Sequence, residues 1–103
     1  MFVRLNPHTF IDNVAVSVAS GWYPVDWKWG GVQQRSISGR KHENDTVILE
    51  LLTIVGDVSV IATATTWGVS GATAFSAVVQ GPFQMIRVRK IGTNGGATVV
   101  GMV

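Results

Sequence analysis

Short runs of β-branched residues, each cut off by glycine, proline, asparagine or aspartate, recur along this chain and restrict its fold more than any other feature. In Asn13–Ser20, Val14, Val16 and Val18 alternate with Ala15, Ser17 and Ala19, the period-two pattern of a strand with one buried face. Five further runs read as strands: "GGVQQRSISG", "DTVILELLTIV", "DVSVIATATTWG", "ATAFSAVVQ" and "FQMIRVRKI". The run from Thr46 to Val55 also fits a short helix by periodicity, but its threonine and valine content favours strand. Gly56-Asp57 predicts one hairpin, and Asn94-Gly95 predicts a second that folds "ATVVGMV" back onto the strand carrying Arg87 and Arg89. No capping box leads into a helical stripe. About eight strands with turns every 8–12 residues predict an all-β fold: a single antiparallel β-sandwich, jelly-roll-like. The 103 residues give room for one core, so 1–103 is read as one domain, with 1–12 possible as an extended N-terminal arm.

Composition narrows the function. Apolar residues make up 47% of the chain and charged residues 14%, where a soluble domain averages about 25% charged. A surface so poor in charge implies that some apolar area faces a partner. The net charge of +2 is too small and too scattered for specific nucleic-acid binding: Arg40-Lys41 is followed at once by His42-Glu43-Asn44-Asp45. The absence of cysteine removes thiolate chemistry, disulfides and Cys-ligated metal, and fits folding in a reducing cytoplasm. The first ten residues lack the pattern of a signal peptide, and no apolar run reaches the roughly 20 residues of a membrane-spanning helix.

Six features invite a chemical reading. Trp22, Tyr23, Trp27 and Trp29 crowd into eight positions, as a plug or subunit contact on one reading and as a stacking platform for a sugar or base on the other. The segment Ser38–Thr46 gathers charge and reads as a solvated hairpin loop, since His42, Glu43 and Asp45 are too close in sequence to converge on a metal. "GTNGG" lacks the lysine and following helix of a phosphate loop and reads as a turn. His8 and His42 sit in polar sequence with no nucleophile elbow nearby. Glu50, the one carboxylate inside an apolar run, calls for a cationic partner, with Arg87 or Arg89 as candidates. Those two arginines stand about 7 Å apart on one strand face, set either to grip a neighbour's carboxylates or to line a solvated face. No catalytic residue, cofactor or metal site is expected.

Three segments carry a resemblance. "WKWGG", Thr46-Val47-Ile48-Leu49, and Gly81-Pro82-Phe83 leading to Ile86-Arg87-Val88 resemble small β-rich virion proteins of tailed bacteriophages, from about Trp22 onward. The chain departs from that pattern in its crowded tryptophans and in "GRKHENDT" before Thr46. The resemblance implies a non-enzymatic capsid decoration (cement) or head accessory protein, made in the host cytoplasm and located on the virion. It implies the major capsid protein and further copies of the chain as partners, with a trimer favoured, and neither specific nucleic acid nor membrane. The contact residues expected on this reading are Phe2, Phe10, Trp22, Trp27, Trp29, Arg87 and Arg89. The alternative is a head-fibre or tail domain that binds host glycan on its tryptophans.

Overall fold

The computed structural model describes residues 7–25, 34–71, 73–80 and 83–103. Among these residues nine strands follow one another: β1 (Pro7–Val14), β2 (Val18–Ala19), β3 (Tyr23–Pro24), β4 (Gln34–Arg40), β5 (Thr46–Val55), β6 (Val58–Trp67), β7 (Ala74–Gln80), β8 (Met85–Ile91) and β9 (Ala97–Met102). They form two antiparallel sheets, one ordered β1-β9-β4-β7 and the other β2-β8-β5-β6, with β3 also on β8. The antiparallel β-sandwich read from the sequence is the observed architecture.

The pairing is nested. β1 pairs with β9, β2 and β3 pair with β8, β4 pairs with β7, and β5 pairs with β6. β2 and β3 follow one another along the same edge of β8, Val18 opposite Lys90 and Tyr23 opposite Ile86, with a one-residue shift of register between them, and so act as one interrupted strand. Eight strand positions folded in this way are the plan of a jelly roll. Nearly every connection then crosses from one sheet to the other. Only β5 and β6 are sequence neighbours joined as a hairpin among the described residues. Its two-residue turn starts at Gly56 with φ of 65°, which an L side chain adopts at a cost.

The core lies between the sheets. Phe10 and Ile11 of β1, Ile37 of β4, Phe75 and Val79 of β7 and Val99 of β9 meet Val47, Leu49, Ile86 and Val88 from β5 and β8. Gly101 lets Ile37 and Phe10 pack together, since a Cβ there would stand 2.5 Å from Ile37 Cδ1 and 2.8 Å from Phe10 Cε2. Gly39 lets β4 approach β9, where a Cβ would lie 2.3 Å from the Thr98 carbonyl oxygen.

Four expectations need correction. The segment "ATVVGMV" does not return to the arginine strand: β9 lies between β1 and β4 in the opposite sheet. The turn after β8 is a crossing between sheets, and its positive φ falls on Gly92, at 123°, rather than on Asn94-Gly95. Residues 7–12 of the expected N-terminal arm belong to β1, because Phe10 and Ile11 bury against the core. The valine alternation from Val14 to Val18 is no single strand. Asn13 turns the chain with φ of 50°, Val16 is exposed, and Val14 and Val18 serve different sheets.

Candidate interaction surface

The alternation of β8 sends Ile86, Val88 and Lys90 inward and leaves Met85, Arg87 and Arg89 on the outer face of the sheet. Register sets Arg87 opposite Glu50 of β5, and Arg89 opposite Ile48. Glu50 Oε1 accepts two hydrogen bonds from Arg87, from Nε at 3.0 Å and Nη2 at 2.8 Å. Arg89 Nε stands 3.6 Å from the same oxygen. The Trp22 ring, half-buried, lies under Arg87 with the guanidinium carbon 4.3 Å from its centroid. One carboxylate thus faces two guanidiniums, and an aromatic face holds the nearer one.

This arrangement settles the partner of Glu50 and changes the role of Arg87. Its guanidinium is engaged within the chain, on Glu50 and Trp22, while Arg89, with 39% of its side chain exposed, keeps donors turned to solvent. A sugar stacking on Trp22 from that side would have to displace Arg87. Phe10, expected at a contact surface, is a core residue at 8% exposure, with its ring edge-on to His8 at 4.8 Å. Its inward position on β1 accounts for the difference. Phe2, Trp27 and Trp29 lie outside the described residues.

A second surface was visible in the sequence only as a surplus of apolar residues. The hairpin of β5 and β6 carries Ile54, Val55, Val58, Val60 and Ile61, all between 45% and 63% exposed. Both faces of its tip are apolar: Ile54 and Ile61 project with Glu50 and Arg87, while Val58 and Val60 project on the other side. β6 has no charged residue and, among the described residues, no strand on its far side.

A third cluster lies at one end of the sandwich, where the connection from β4 to β5 meets the one from β8 to β9. Lys90 and Asp45 are both fully buried and form an ion pair, Nζ to Oδ2, at 3.2 Å. Lys90 Nζ also donates to the carbonyl oxygens of Ala15, at 3.2 Å, and of Gly92. Asp45 Oδ1 accepts from the Asn94 side-chain amide at 2.7 Å and from its backbone N–H at 3.2 Å. Burial pushes the Asp45 pKa up, but hydrogen bonds from Asn94 and the facing Lys90 ammonium outweigh it and hold the pKa at about 2. Gly92 is required here: a Cβ would meet Asp45 Oδ1 at 2.1 Å.

The stretch Ser38–Thr46 is therefore no solvated hairpin loop. It links the two sheets, and two of its charges point inward: Asp45, and Lys41, whose Nζ donates to the Gly68 carbonyl at 3.0 Å. His42 Nδ1 accepts the Asn44 N–H at 3.1 Å, while Asp45 turns to Lys90, so His42, Glu43 and Asp45 do not converge. The signal for Lys90 was present in its parity, which it shares with Ile86 and Val88. Chemically the cluster is a staple between chain segments: Lys90 Nζ donates to two carbonyls, Asp45 Oδ1 accepts from Asn94, and Oδ2 has the facing ammonium as its ion partner and no hydrogen bond.

Comparison with protein-family models, curated proteins and solved structures gave no match.

Proposed function

We propose that this protein is a bacteriophage virion structural protein, a capsid decoration protein that oligomerises on the head shell and stabilises it. The observation that carries this reading is the hairpin of β5 and β6, where five large aliphatic side chains are exposed and the outer strand, β6, carries no charge. Such a surface is costly in water and gains by being covered by protein. The three segments that resemble phage virion proteins support the same class, and a sandwich of jelly-roll plan suits it at the level of fold analogy. On this reading the protein binds the assembled shell and not the free coat subunit, and so stabilises the shell by mass action. Arg89 and the apolar hairpin supply the contacts, while Arg87 shapes the surface by holding Glu50.

The test is made on particles. Purified phage should carry the protein in hundreds of copies, and particles lacking it should rupture at lower temperature or lower salt. Robust particles that adsorb poorly to cells would instead support the glycan-binding alternative and refute decoration.

A further inference from the structure

We infer that β6 is a self-recognition edge, and that two copies of the chain join through antiparallel pairing of β6 with β6 about a two-fold axis at Ile61. This deepens the assembly reading above, and rests on it, by naming the partner of the hairpin.

The edge itself is the first argument. Soluble proteins protect open edges with lysine, proline, inward charges or cover. Val58–Trp67 has neither charge nor proline in ten residues, and five of its first six side chains from Val58 to Thr63 are Val, Ser, Ile, Ala or a second Val. The pairing skips from Leu49 opposite Thr65 to Glu50 opposite Thr63, so Ala64 is a bulge and Val58–Thr63 is the regular part of the edge.

Register is the second argument. The two-residue turn makes Val55 and Val58 a hydrogen-bonded pair. Alternation from there turns the N–H and C=O of Ser59, Ile61 and Thr63 to the open side. An antiparallel partner of the same sequence, centred on Ile61, meets these groups with its own Thr63, Ile61 and Ser59, giving about six hydrogen bonds. The same register sets Val60 beside Ala62 on the opposite face, while on the first face the Ile61 pair is flanked by hydroxyl pairs of Ser59 with Thr63, so that like meets like on both sides of the joint sheet. A two-fold axis is the symmetry that antiparallel pairing of identical strands demands.

Area is the third. The five exposed aliphatics of the hairpin present on the order of 400 Å² of apolar surface, as large as the main patch on a typical monomer. Of the five, Val58, Val60 and Ile61 lie on β6 beside the joint, and Ile54 and Val55, one strand further in, continue the apolar face. A partner of different sequence would be chosen by charge, and this edge offers none; the chain's own β6 is a match for it in both polarity and hydrogen-bond phase.

The absence of cysteine permits a direct experiment. In the proposed pair the two Ile61 Cα atoms stand about 5.5 Å apart, within the span of a disulfide. Full-length Ile61→Cys, oxidised in the absence of phage particles, should form a covalent dimer, while Val78→Cys, 58% exposed on β7, should not. Unmodified protein at about 100 µM should sediment as two copies. Ile61→Lys, which sets like charges face to face, should weaken self-association at least tenfold with an unchanged circular dichroism melt. Monomeric native protein, a mass of three copies, equal cross-linking at both cysteines, or an Ile61→Lys variant that still dimerises would each overturn the inference. Because no particle is present, these failures leave shell binding untouched, and failure to bind shells leaves the pairing standing.

Discussion

Replacing Lys90 with methionine isolates what the buried ion pair contributes, because methionine keeps an unbranched apolar stem and removes the ammonium. The change strands Asp45, a fully buried carboxylate whose Oδ2 loses the cation 3.2 Å away. It also frees the carbonyls of Ala15 and Gly92, while the two Asn94 donors stay on Oδ1. Removing one partner of a buried pair costs about 3–5 kcal/mol. A domain of this size holds about 5–15 kcal/mol in all, so the variant loses a large fraction of its stability. Its Tm should fall by at least ~12 °C, taking ~4 °C per kcal/mol as the lower conversion. Adding Asp45→Asn removes the stranded charge and should restore roughly 2 kcal/mol of the loss. Urea titration followed by tryptophan fluorescence measures both variants, with the m-value serving as a check that the folded states are comparable. A Lys90→Met protein within ~1 kcal/mol of the parent, or a double variant no more stable than Lys90→Met, would refute the staple.

Acid unfolding should report the same carboxylate. Its folded pKa, about 2, lies below the ordinary aspartate value of 3.8, so its stabilising effect is complete above that value and is lost as pH falls from 3.8 towards 2; Asp45→Asn should flatten this limb in midpoint-against-pH titrations. Arg87→Ala should cost about 2 kcal/mol by leaving Glu50 without its two short hydrogen bonds, whereas Arg89→Ala, at 3.6 Å and more exposed, should cost less than ~1 kcal/mol in the same assay. Gly56→Ala and Gly92→Ala both force a side chain into positive φ, but only the second collides with Asp45. Thermal melts should show a loss of about 1–2 kcal/mol at Gly56 and more than twice that at Gly92.

Alternation and turn residues made the strands legible, because both are local. The Gly56-Asp57 hairpin was readable for the same reason, as was the need of Glu50 for an arginine inside an apolar run. Pairing across sheets was not readable. Asn94-Gly95 has the composition of a hairpin turn, yet the strands on either side of it belong to opposite layers, and no short-range pattern records that β9 sits between β1 and β4. Val14 and Val18 kept their period through a crossing, which hid the break at Asn13. Lys90 and Asp45 are not legible as a buried pair because charged residues ordinarily face solvent. The inward parity of Lys90 with Ile86 and Val88 was the contrary signal.

The nested order of the strands has a consequence for how the protein is made. β1 leaves the ribosome early, but the strand beside it, β9, follows only after about 80 more residues have been translated. Such distant closure is slow, in the millisecond-to-second class of all-β topologies. The sheet holding both strands cannot be completed until β9 itself has been translated. The hairpin of β5 and β6, whose halves are two residues apart, is the one local strand pairing among the described residues and can form early. Its greasy tip is therefore on view in the nascent chain as well as in the finished domain.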